Sequence, residues 1–547
     1  MSTEFSFRTR AENIENLKRQ PLDVLVIGGG IVGAGLIRDL ALNGGIRAGL
    51  IEQQDFASGT SNATSELVHG GFRYLLKRDV ALVKEARRER EILLRIAPNI
   101  VKPLPIVILC YKGERYPLFG MHLAAHYYNH LSKADRKEKA YALRDSRKIQ
   151  RLVGPVETEG LIGCVVIWDS TVDDARLTLL TIRSAHHYGA IVTNYVRLLD
   201  FLVTSVGGRH KINGVLAEDV MSGDRFEIHA KKIVVAIGPW TDRVWSKDPT
   251  YDGEPKLTTQ KAKGTHLLFP QIGNSQYGVL AFTHTETQQR REPRVLFILP
   301  AEHALSMVGT TESDPEDFPN RVRPSADEIE YLLAEASRVF PRAQMSRSNI
   351  ISAYAGVRPL VAMQGDGFVS RAHKVFESQS GVMYTYGGKL TTYRKIGEEV
   401  VNRVSEELQL PRNCQTETLK LVADEPKRFE SRLLAKVDQQ RLNERYGFGT
   451  AHIEKLIQQD ATLADRLVES LPFLKAEVLY ACHEEMVIKL EDFLWRRTRI
   501  GLTKGQGISQ APDIARLIGQ VCGWDISRTN AEIEQYIQRI QWLNAEI

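Results

Sequence analysis

The apolar and polar positions between residues 23 and 52 predict a strand, a helix and a second strand. Residues 24–27 form an apolar run typical of a parallel strand that is buried on both faces. Residues 31–42 are compatible with a helix, and residues 46–51 form a second apolar run that ends on Glu52. Gly28, Gly30 and Gly33 lie between the first strand and the helix in GxGxxG spacing. This order predicts a βαβ unit that opens with a glycine turn.

The glycine turn predicts a site for the pyrophosphate of a dinucleotide. Gly28 allows a tight turn, Gly30 allows close approach of the backbone, and Gly33 allows the helix to pack on the sheet. The start of the helix offers N–H groups and a partial positive charge to the pyrophosphate. Glu52 follows roughly 20 residues later, where an acid can bind a ribose diol. A turn without a ligand would leave Glu52 unexplained, and these residues accept FAD or NAD equally well.

The pattern of the remaining chain predicts two further kinds of structure. Amphipathic helices are predicted at 79–97 and from 174 to about 188, and strands at 103–110, 191–203 and 233–237. Residues 211–229 predict a meander that turns at 222–223. Apolar runs separated by polar turns between 265 and 312 predict an antiparallel sheet. From about residue 402 the chain becomes charged and helical, which predicts a separate helical domain.

Length and charge restrict the function classes. The 547 residues exceed what one core usually supports, so two or three domains are expected. The net charge of +5 is too mild and dispersed to indicate nucleic-acid binding, but it suits an anionic substrate or an anionic membrane surface. No apolar run has the length of a transmembrane helix and the first twenty residues lack a signal peptide, so membrane contact is expected to be peripheral.

Neither cysteines nor acidic loops indicate a metal site. The five cysteines are far apart and form no CxxC pair, which favours a reducing compartment over a disulfide framework or a zinc ribbon. His483 and Glu484 resemble the start of a zinc-protease helix, but Val487 occupies the position of the second histidine. No EF-hand loop is present. The sequence therefore predicts no bound metal.

Residues 116–131 form an unusual aromatic helix with three histidines at i, i+4 and i+8, namely His122, His126 and His130. Three histidines on one face could bind a metal, a buried helix is a second possibility, and an interfacial helix is the favoured interpretation. We expect the replacement of Leu118, Phe119 and Met121 by Glu to release the protein from membranes. Basic residues that would contact anionic headgroups flank the helix at positions Lys112, Arg115, Lys133, Arg136 and Lys137.

Several blocks resemble one known family. Small hydroxyl residues follow Glu52, and the block LVHGGFRYL occupies residues 67–75. This block resembles the FAD-dependent glycerol-3-phosphate dehydrogenases, the quinone-linked membrane enzymes. The resemblance covers nearly the whole chain and returns at WDSTVDDARL (168–177), GTTE (309–312), YAGVRPL (354–360), YTYGGKLTTYRK (384–395) and WRRT (495–498), the last expected to be a packing element. Departures from the family pattern are Glu66 in place of Lys, Ile237 in place of Thr and Glu312 in place of Asp.

The resemblance implies an α/β fold with a Rossmann-like FAD-binding domain of the D-amino-acid-oxidase type. The FAD-binding part is expected within 20–400, mainly at 20–80, 165–245 and 350–400. An antiparallel-sheet substrate domain is expected to be interleaved with it, mainly at 81–164 and 250–349, and a C-terminal α-helical domain to occupy 401–547. The residues expected to bind FAD are Gly28, Gly30, Gly33, Glu52, Ser61, Thr64, Ser65, Gly70, Gly238, Gly388, Lys389, Leu390 and Thr391.

The chemistry of alcohol oxidation assigns roles to the polar residues of these blocks. A base must accept the hydroxyl proton, and His69 is the first candidate because its ordinary pKa lies near neutrality. Arg358 is the second candidate, since the resemblance places it near the reacting carbon. A phosphate monoester requires cations to hold it. The residues expected to bind the substrate are Arg73, Tyr74, Thr311, Arg358, Arg371 and Lys389.

The implied activity is oxidation of glycerol 3-phosphate to dihydroxyacetone phosphate, with FAD accepting the hydride and a membrane quinone accepting the electrons. The alternatives are an oxidase that uses oxygen, an amine or amino-acid oxidase of the same fold, and a flavin-binding protein without catalysis. The phosphate-binding cluster argues against an amine substrate. The resemblance also implies a homodimer bound peripherally to the cytoplasmic face of the inner membrane.

Overall fold

The computed structural model describes residues 4–76, 79–131, 138–253, 259–284, 294–315, 322–362, 369–370, 373–421 and 433–547. Within these ranges the chain forms two large β-sheets and a set of helices that cover them. Within the same ranges, no helix is both long and apolar enough to cross a lipid bilayer.

The strands of the described residues, in chain order, are β1 Leu22–Ile27, β2 Ala48–Ile51, β3 Leu67–Val68, β4 Lys102–Tyr111, β5 Tyr141–Leu143, β6 Leu161–Thr171, β7 Ile191–Thr193, β8 Val196–Val206, β9 Arg209–Asp219, β10 Arg225–Val235, β11 Thr259–Pro270, β12 Gly278–Phe282, β13 Val295–Ala301, β14 Leu305–Gly309, β15 Ser352–Ala362, β16 Val369–Ser370, β17 His373–Glu377 and β18 Met383–Gly387.

The α-helices are α1 Phe7–Arg19, α2 Ile31–Asn43, α3 Phe72–Leu76, α4 Val80–Ile96, α5 Leu118–His130, α6 Ser146–Val153, α7 Asp174–His187, α8 Thr241–Trp245, α9 Ala326–Val339, α10 Tyr393–Leu408, α11 Lys436–Tyr446, α12 Gly449–Gln459, α13 Lys475–Glu484, α14 Ala511–Cys522 and α15 Ile526–Leu543.

The first sheet contains the predicted βαβ unit. Its strand order is β17-β18-β10-β1-β2-β7, and the pairs from β18 to β7 are parallel. The hairpin β8–β9 extends the sheet through β9, which pairs antiparallel with β10. Helices α2, α7 and α10 pack together on one face. The residues of β1 are almost all apolar, as expected for a strand that is covered on both faces. The predicted α/β fold is confirmed.

The second sheet is the predicted antiparallel one. Its order is β16-β15-β11-β14-β13-β12-β4-β6-β3, with β5 beside β6 and only the β12–β4 pair parallel among these neighbours. Apolar residues of α9, such as Leu332, pack with Val166 and Val308 on one face of the sheet. On the other face, Ile106 and Leu268 share a core with Trp495 of the C-terminal helices. The C-terminal helices therefore complete the hydrophobic core beneath the second sheet.

The structure differs from two predicted elements. The strand predicted at 191–203 is interrupted after β7, because Tyr195 adopts a left-handed backbone conformation and buried Asn194 donates a hydrogen bond to Asp55. The helix predicted to begin at Leu390 begins as a tight 3₁₀ turn, Leu390–Thr392, and becomes α10 at Tyr393.

Candidate active site

A cleft with a cavity volume of about 310 Å³ opens where β1 ends and α2 begins. Gly28 turns the chain off β1 with φ +113°, and a Cβ there would lie 2.5 Å from the carbonyl oxygen of Ala236. Gly33 packs α2 on this turn, since a Cβ at that position would lie 1.9 Å from the carbonyl oxygen of Gly28. The two glycines therefore allow a close approach that any side chain would prevent.

The start of α2 faces the cleft. The helix is preceded by Gly30, which has no side chain to cap it, and Gly30, Ile31 and Val32 all line the cleft. Ser61 Oγ accepts a hydrogen bond from Ile31 N–H at 2.9 Å. The opening of the helix and the Ser61 hydroxyl thus form an anion-binding corner suited to a pyrophosphate.

Glu52 lies at the end of β2 and lines the same cleft. Its two carboxylate oxygens accept hydrogen bonds from Gly29 N–H at 2.7 Å and from Gln54 N–H at 2.9 Å. Burial raises the pKa of Glu52, while the two N–H donors oppose that rise. The backbone therefore fixes the carboxylate at the edge of the cleft, where an acid can accept from a ribose diol.

Most of the residues expected to bind FAD line this cleft, but not all of them do. In addition to those already placed, the lining includes Thr64, Gly238, Gly388, Lys389 and Leu390. Ser65 lines a second pocket instead.

Gly33, Gly70 and Thr391 line neither the cleft nor the second pocket in the described residues. A Cβ on Gly70 would lie 2.5 Å from the hydroxyl of Tyr128, so Gly70 allows close packing. Thr391 Oγ1 accepts from the backbone N–H of His69 at 3.0 Å and thereby joins two sequence-distant blocks.

Sequence reasoning missed several cleft residues, some of which follow the ends of strands and two of which, Pro359 and Thr385, lie within β15 and β18. They include Gln54, Val196, Leu198, Trp240, Arg243, Lys247, Pro359 and Thr385. The signal that could have found several of them is their position, because ligands of a parallel sheet bind beyond the carboxyl ends of its strands. The cleft combines side-chain-intolerant glycines, the N-terminus of a helix and a fixed acid, and these features fit a dinucleotide cofactor such as FAD.

A second pocket, of about 120 Å³, lies beside the cleft, between residues 69–74 and one face of the second sheet. It brings together five residues that the sequence predicted for catalysis or substrate binding, namely His69, Arg73, Tyr74, Thr311 and Arg358. The predicted substrate residue Arg371 lies outside the described residues. The pocket also contains Asp169, Arg294, Thr310 and Glu312, which sequence reasoning did not assign to substrate binding.

Arg358 projects from β15 across the neighbouring strand β11. Its guanidinium donates to Thr310 Oγ1 at 2.7 Å and to the carbonyl oxygen of Thr311 at 3.3 Å. A Cβ on Gly264 would lie 2.2 Å from one of the terminal nitrogens of Arg358. Gly264 therefore provides the space that the guanidinium occupies, a role that the sequence alone did not reveal.

Lys389 connects the two cavities. It lines the cofactor cleft, and its ammonium group lies 4.1 Å from the ring centre of Tyr74, a residue of the second pocket. Such a contact is a favourable cation–π interaction. The Lys389 side chain thus lies where the dinucleotide cleft meets the predicted substrate residues.

The hydroxyl group of Thr311 is already used within the protein. It accepts from Thr265 N–H at 2.9 Å and donates to Glu328 at 2.8 Å. The neighbouring Thr310 instead accepts from Arg358. Thr311 therefore contributes to the pocket mainly through its backbone, which orients Arg358.

Ser65, which lines the pocket, contacts the buried side chain of His266. Ser65 Oγ lies 2.8 Å from His266 Nε2, and the imidazole stacks on Tyr354 with ring centres 5.0 Å apart. Burial, reinforced by the nearby Arg358 cation, lowers the pKa of His266 to about 3. His266 is therefore neutral at physiological pH.

Glu66, the residue that reverses the charge of the family pattern, is buried and pairs with Arg499 of the C-terminal helices. Burial raises the pKa of Glu66 to about 8, against the opposing effect of the Arg499 cation. The carboxyl group therefore lies against a cation from a distant part of the chain.

Helix α5 differs from the expected membrane-facing arrangement. Leu118 and Met121 are buried, whereas Phe119 is 68% exposed, Leu123 55% and Tyr127 45%. The prediction that Leu118, Phe119 and Met121 all face outward was therefore wrong for Leu118 and Met121. The Nε2 atoms of His122 and His126 lie 2.9 Å apart. Among the described residues, no group of three or more histidine, cysteine or acidic side chains is placed so that it could hold a metal ion. Lys133, Arg136 and Lys137 lie outside the described residues.

Comparisons with known proteins agree with this geometry. A family model described as FAD dependent oxidoreductase matches residues 23–401, and one described as the C-terminal domain of alpha-glycerophosphate oxidase matches residues 414–529. The chain is 34% identical to a glycerol-3-phosphate dehydrogenase of Synechocystis, covering 96% of this chain and 97% of the relative. It is 30% identical to the aerobic glycerol-3-phosphate dehydrogenase of Staphylococcus haemolyticus, covering 88% of both chains.

A solved structure has the same overall architecture. The glycerol-3-phosphate dehydrogenase from Bacillus halodurans complexed with FAD superposes with a TM-score of 0.79 at 26% identity, covering 98% of each chain. A glycine oxidase from Geobacillus kaustophilus shares the fold at 19% identity, with a TM-score of 0.53 and coverage of 74% of this chain and 99% of that chain.

Proposed function

The chain belongs to the family of FAD-dependent glycerol-3-phosphate dehydrogenases, and from this premise we propose that it oxidises glycerol 3-phosphate at C2 and transfers the electrons to a membrane quinone. FAD-dependent oxidation of glycerol 3-phosphate is the activity supported by its relatives. The observation that supports the roles of individual residues is the second pocket. It combines an imidazole with several cations directly beside the dinucleotide cleft.

The cations are proposed to hold the phosphate group. Arg73 and Arg358 lie in the pocket, and Lys389 lies at its junction with the cofactor cleft. A phosphate monoester carries nearly two negative charges near neutral pH, so guanidinium groups and an ammonium group bind it favourably. Tyr74 contributes a hydroxyl donor. Holding the phosphate at one end fixes the position of C2, which is required for efficient transfer.

His69 is proposed as the base that accepts the hydroxyl proton. Its backbone is held by Thr391, which both accepts from its N–H and donates to its carbonyl oxygen. Arg358 remains the second candidate, although a guanidinium is a poor base because its pKa is very high. Bound FAD supplies the two-electron acceptor for the hydride that leaves C2. The protein's part is to orient the alcohol and to remove its proton.

The experiment that tests this function is anaerobic reduction of the purified flavoprotein by glycerol 3-phosphate. The visible absorption of FAD should bleach, and dihydroxyacetone phosphate should form in equal amount. The variant Arg358→Lys should retain FAD but show a raised KM and a lower turnover, because lysine keeps the charge and loses the planar fork.

The matched control is Arg516→Lys, which changes an exposed arginine that pairs with Asp513 at the surface. Wild-type kinetics are expected for it. A wild-type flavin that glycerol 3-phosphate does not bleach would contradict the proposed function. Wild-type kinetics in Arg358→Lys would remove only Arg358 from the site.

The electron acceptor separates the proposed dehydrogenase from a glycerol-phosphate oxidase. The two share nearly every pocket residue, so the acceptor must be measured directly. We expect a short-chain quinone to reoxidise the reduced protein much faster than air-saturated buffer does. Stoichiometric hydrogen peroxide during turnover in air, with no stimulation by quinone, would favour the oxidase.

Helix α5 supports the proposal that the protein binds an anionic membrane surface. Phe119, Leu123 and Tyr127 recur every four residues and so form one exposed apolar stripe. Exposed Lys112 and Arg115 precede the helix and would meet lipid headgroups. In the proposed arrangement this stripe lies on the cytoplasmic face of the inner membrane, and the family relationship suggests a homodimer.

Liposome co-sedimentation tests the stripe. Replacing Phe119 and Leu123 with Ser should release the protein from vesicles that contain anionic phospholipid. The matched control replaces Val437 and Phe448, which are 70% and 56% exposed on the C-terminal helices, with Ser and should remain bound. Equal sedimentation of both variants would contradict the assignment of α5.

A further inference from the structure

A three-residue turn separates the cofactor cleft from the substrate pocket. Thr64 lines the cleft, Ser65 lines the pocket, and Glu66 follows with a φ of +54°. A left-handed conformation is unfavourable for a residue with a side chain, and it persists only when surrounding contacts hold it. The contacts that hold this turn therefore determine how the two cavities meet.

Several of those contacts come from Arg499, which lies more than four hundred residues later in the chain. Its guanidinium pairs with Glu66, at 2.5 Å with Asp174 and at 3.4 Å with Asp173. Asp174 in turn accepts from the N–H of Thr64 at 3.0 Å and from its hydroxyl at 2.7 Å. Arg499, Glu66 and Asp174 are each at least nine-tenths buried. The arginine therefore reaches the turn both directly and through Asp174.

The same stretch of the chain also holds the beginning of the cofactor-binding loop. Arg496 pairs with Asp55 at 2.6 Å, and Arg497 contacts both carboxylate oxygens of Asp55 at 2.7 and 2.9 Å. Asp55 is completely buried. The loop between Asp55 and Glu66 carries four of the five serine and threonine residues that line the cleft, and arginines of one short segment fix both of its ends.

We propose that Arg499 is a positioning residue through which the C-terminal helical domain holds the turn at residues 64–66 between cofactor and substrate. The proposal rests on the proposed function of the second pocket. It also gives Glu66 a role, because the carboxyl group that departs from the family pattern is one of the three that Arg499 contacts. In this proposal the WRRT block and Arg499, which follows it, hold the loop between Asp55 and Glu66 in addition to packing in the hydrophobic core.

The position of Arg499 predicts which kinetic constant changes. The turn carries Ser65 and leads through β3 to His69, whereas Arg358 and Lys389, two of the three cations proposed to bind phosphate, lie on other strands and loops, and the third, Arg73, lies beyond His69 on α3. Loss of Arg499 should therefore disturb the alignment of cofactor and reacting carbon more than it disturbs the binding of phosphate. Misplacement of about 1 Å can reduce a catalysed rate about 100-fold.

The test compares Arg499→Met, which keeps the length and removes the charge, with Arg516→Met, an exposed arginine of the same helical domain. In Arg499→Met we expect FAD to remain bound through the glycine turn and Glu52. The visible absorption and fluorescence of the bound flavin should change, kcat should fall by at least about tenfold, and KM should stay within about threefold. Arg499→Lys should recover part of the loss, since lysine restores the cation, and Arg516→Met should match wild type.

A second variant keeps the test decisive if Arg499→Met does not fold. Asp174→Asn keeps the size of the side chain but removes the acid through which Arg499 reaches Thr64, and it should lower kcat several-fold with a similar change in the flavin spectrum. Wild-type spectra and kcat in Asp174→Asn, or in a folded Arg499→Met, would overturn the proposal.

Failure of the proposed function gives a different result. In that case, wild-type flavin would not be bleached by glycerol 3-phosphate. The spectrum of the bound FAD would still report whether Arg499 holds the turn, because that spectrum depends on the surroundings of the flavin and requires no substrate.

Discussion

Gly264→Ala should impair substrate oxidation while it leaves the fold and the cofactor in place. The added Cβ would lie 2.2 Å from a terminal nitrogen of Arg358 and 2.6 Å from the central guanidinium carbon. These atoms are the far end of a flexible side chain, so Arg358 can move without displacing the backbone. Gly264 pairs with Gly356 inside the β11–β15 ladder, where alanine can replace glycine without loss of a backbone hydrogen bond.

The magnitude follows from the contacts that Arg358 must give up. Ordinary separations between non-bonded atoms are about 3.5–4.0 Å, so the guanidinium must shift by more than about 1 Å. That shift breaks the 2.7 Å hydrogen bond to Thr310, and a hydrogen bond to a charged group is worth about 1.5–3 kcal/mol. If the same amount of transition-state binding is lost, kcat/KM falls by roughly 10- to 150-fold.

The assay is rapid anaerobic mixing of the FAD-loaded variant with a series of glycerol 3-phosphate concentrations. Bleaching of the flavin gives the rate, and absorbance before mixing gives the FAD content, which should equal that of wild type. Gly120→Ala is the matched control, since its Cβ would meet only Pro117 at ordinary contact distance among the described residues. Bleaching rates within twofold of wild type in Gly264→Ala would refute the assigned position of Arg358.

Two further substitutions probe the cleft and the buried His266. Gly33→Ala should abolish FAD retention after gel filtration, because its Cβ would lie 1.9 Å from the carbonyl oxygen of Gly28, and a backbone atom can move only if the turn is distorted. A yellow variant with a full content of FAD would contradict this prediction. His266 has a folded-state pKa of about 3 against an ordinary 6.5, so the unfolded chain takes up a proton that the folded chain does not, and stability is lost as the pH falls below about 6.5. The loss due to this group should be about 2 kcal/mol between pH 7 and pH 5. Urea unfolding at both pH values should show a smaller loss for His266→Gln, and an equal loss in both proteins would show that His266 is not the cause.

Helices and strands could be predicted from the sequence where the apolar residues followed a single helical or extended period. The helix predicted at 79–97 appears as α4, Val80–Ile96, and the strand predicted at 103–110 appears as β4, Lys102–Tyr111. The interruption at Tyr195 was missed, because its cause is a buried hydrogen bond from Asn194 to the distant Asp55 and local hydrophobicity does not report such a contact.

The outward face of α5 could not be predicted from the helix alone. Both sides of the helix carry apolar residues, so its periodicity does not distinguish the buried face from the exposed one. Tyr128 donates to Asp169 at 2.7 Å and lies on the buried face, and this tertiary contact fixes the rotation of the helix. Leu123 is consequently exposed, although its hydrophobicity is equal to that of buried Leu118.

The sequence by itself determined the chemistry that the chain carries in its motifs. The strand–glycine–helix–acid order requires only local backbone geometry, and for that reason the spacing of Gly28, Gly30 and Glu52 is sufficient to predict a cofactor site there. Tertiary structure alone decided which distant groups meet: the space that Gly264 leaves for Arg358, and the pairing of Glu66 with Arg499. The physical reason is that close approach and ion pairing between residues far apart in the chain depend on the packing of whole sheets and helices, and no local pattern encodes them.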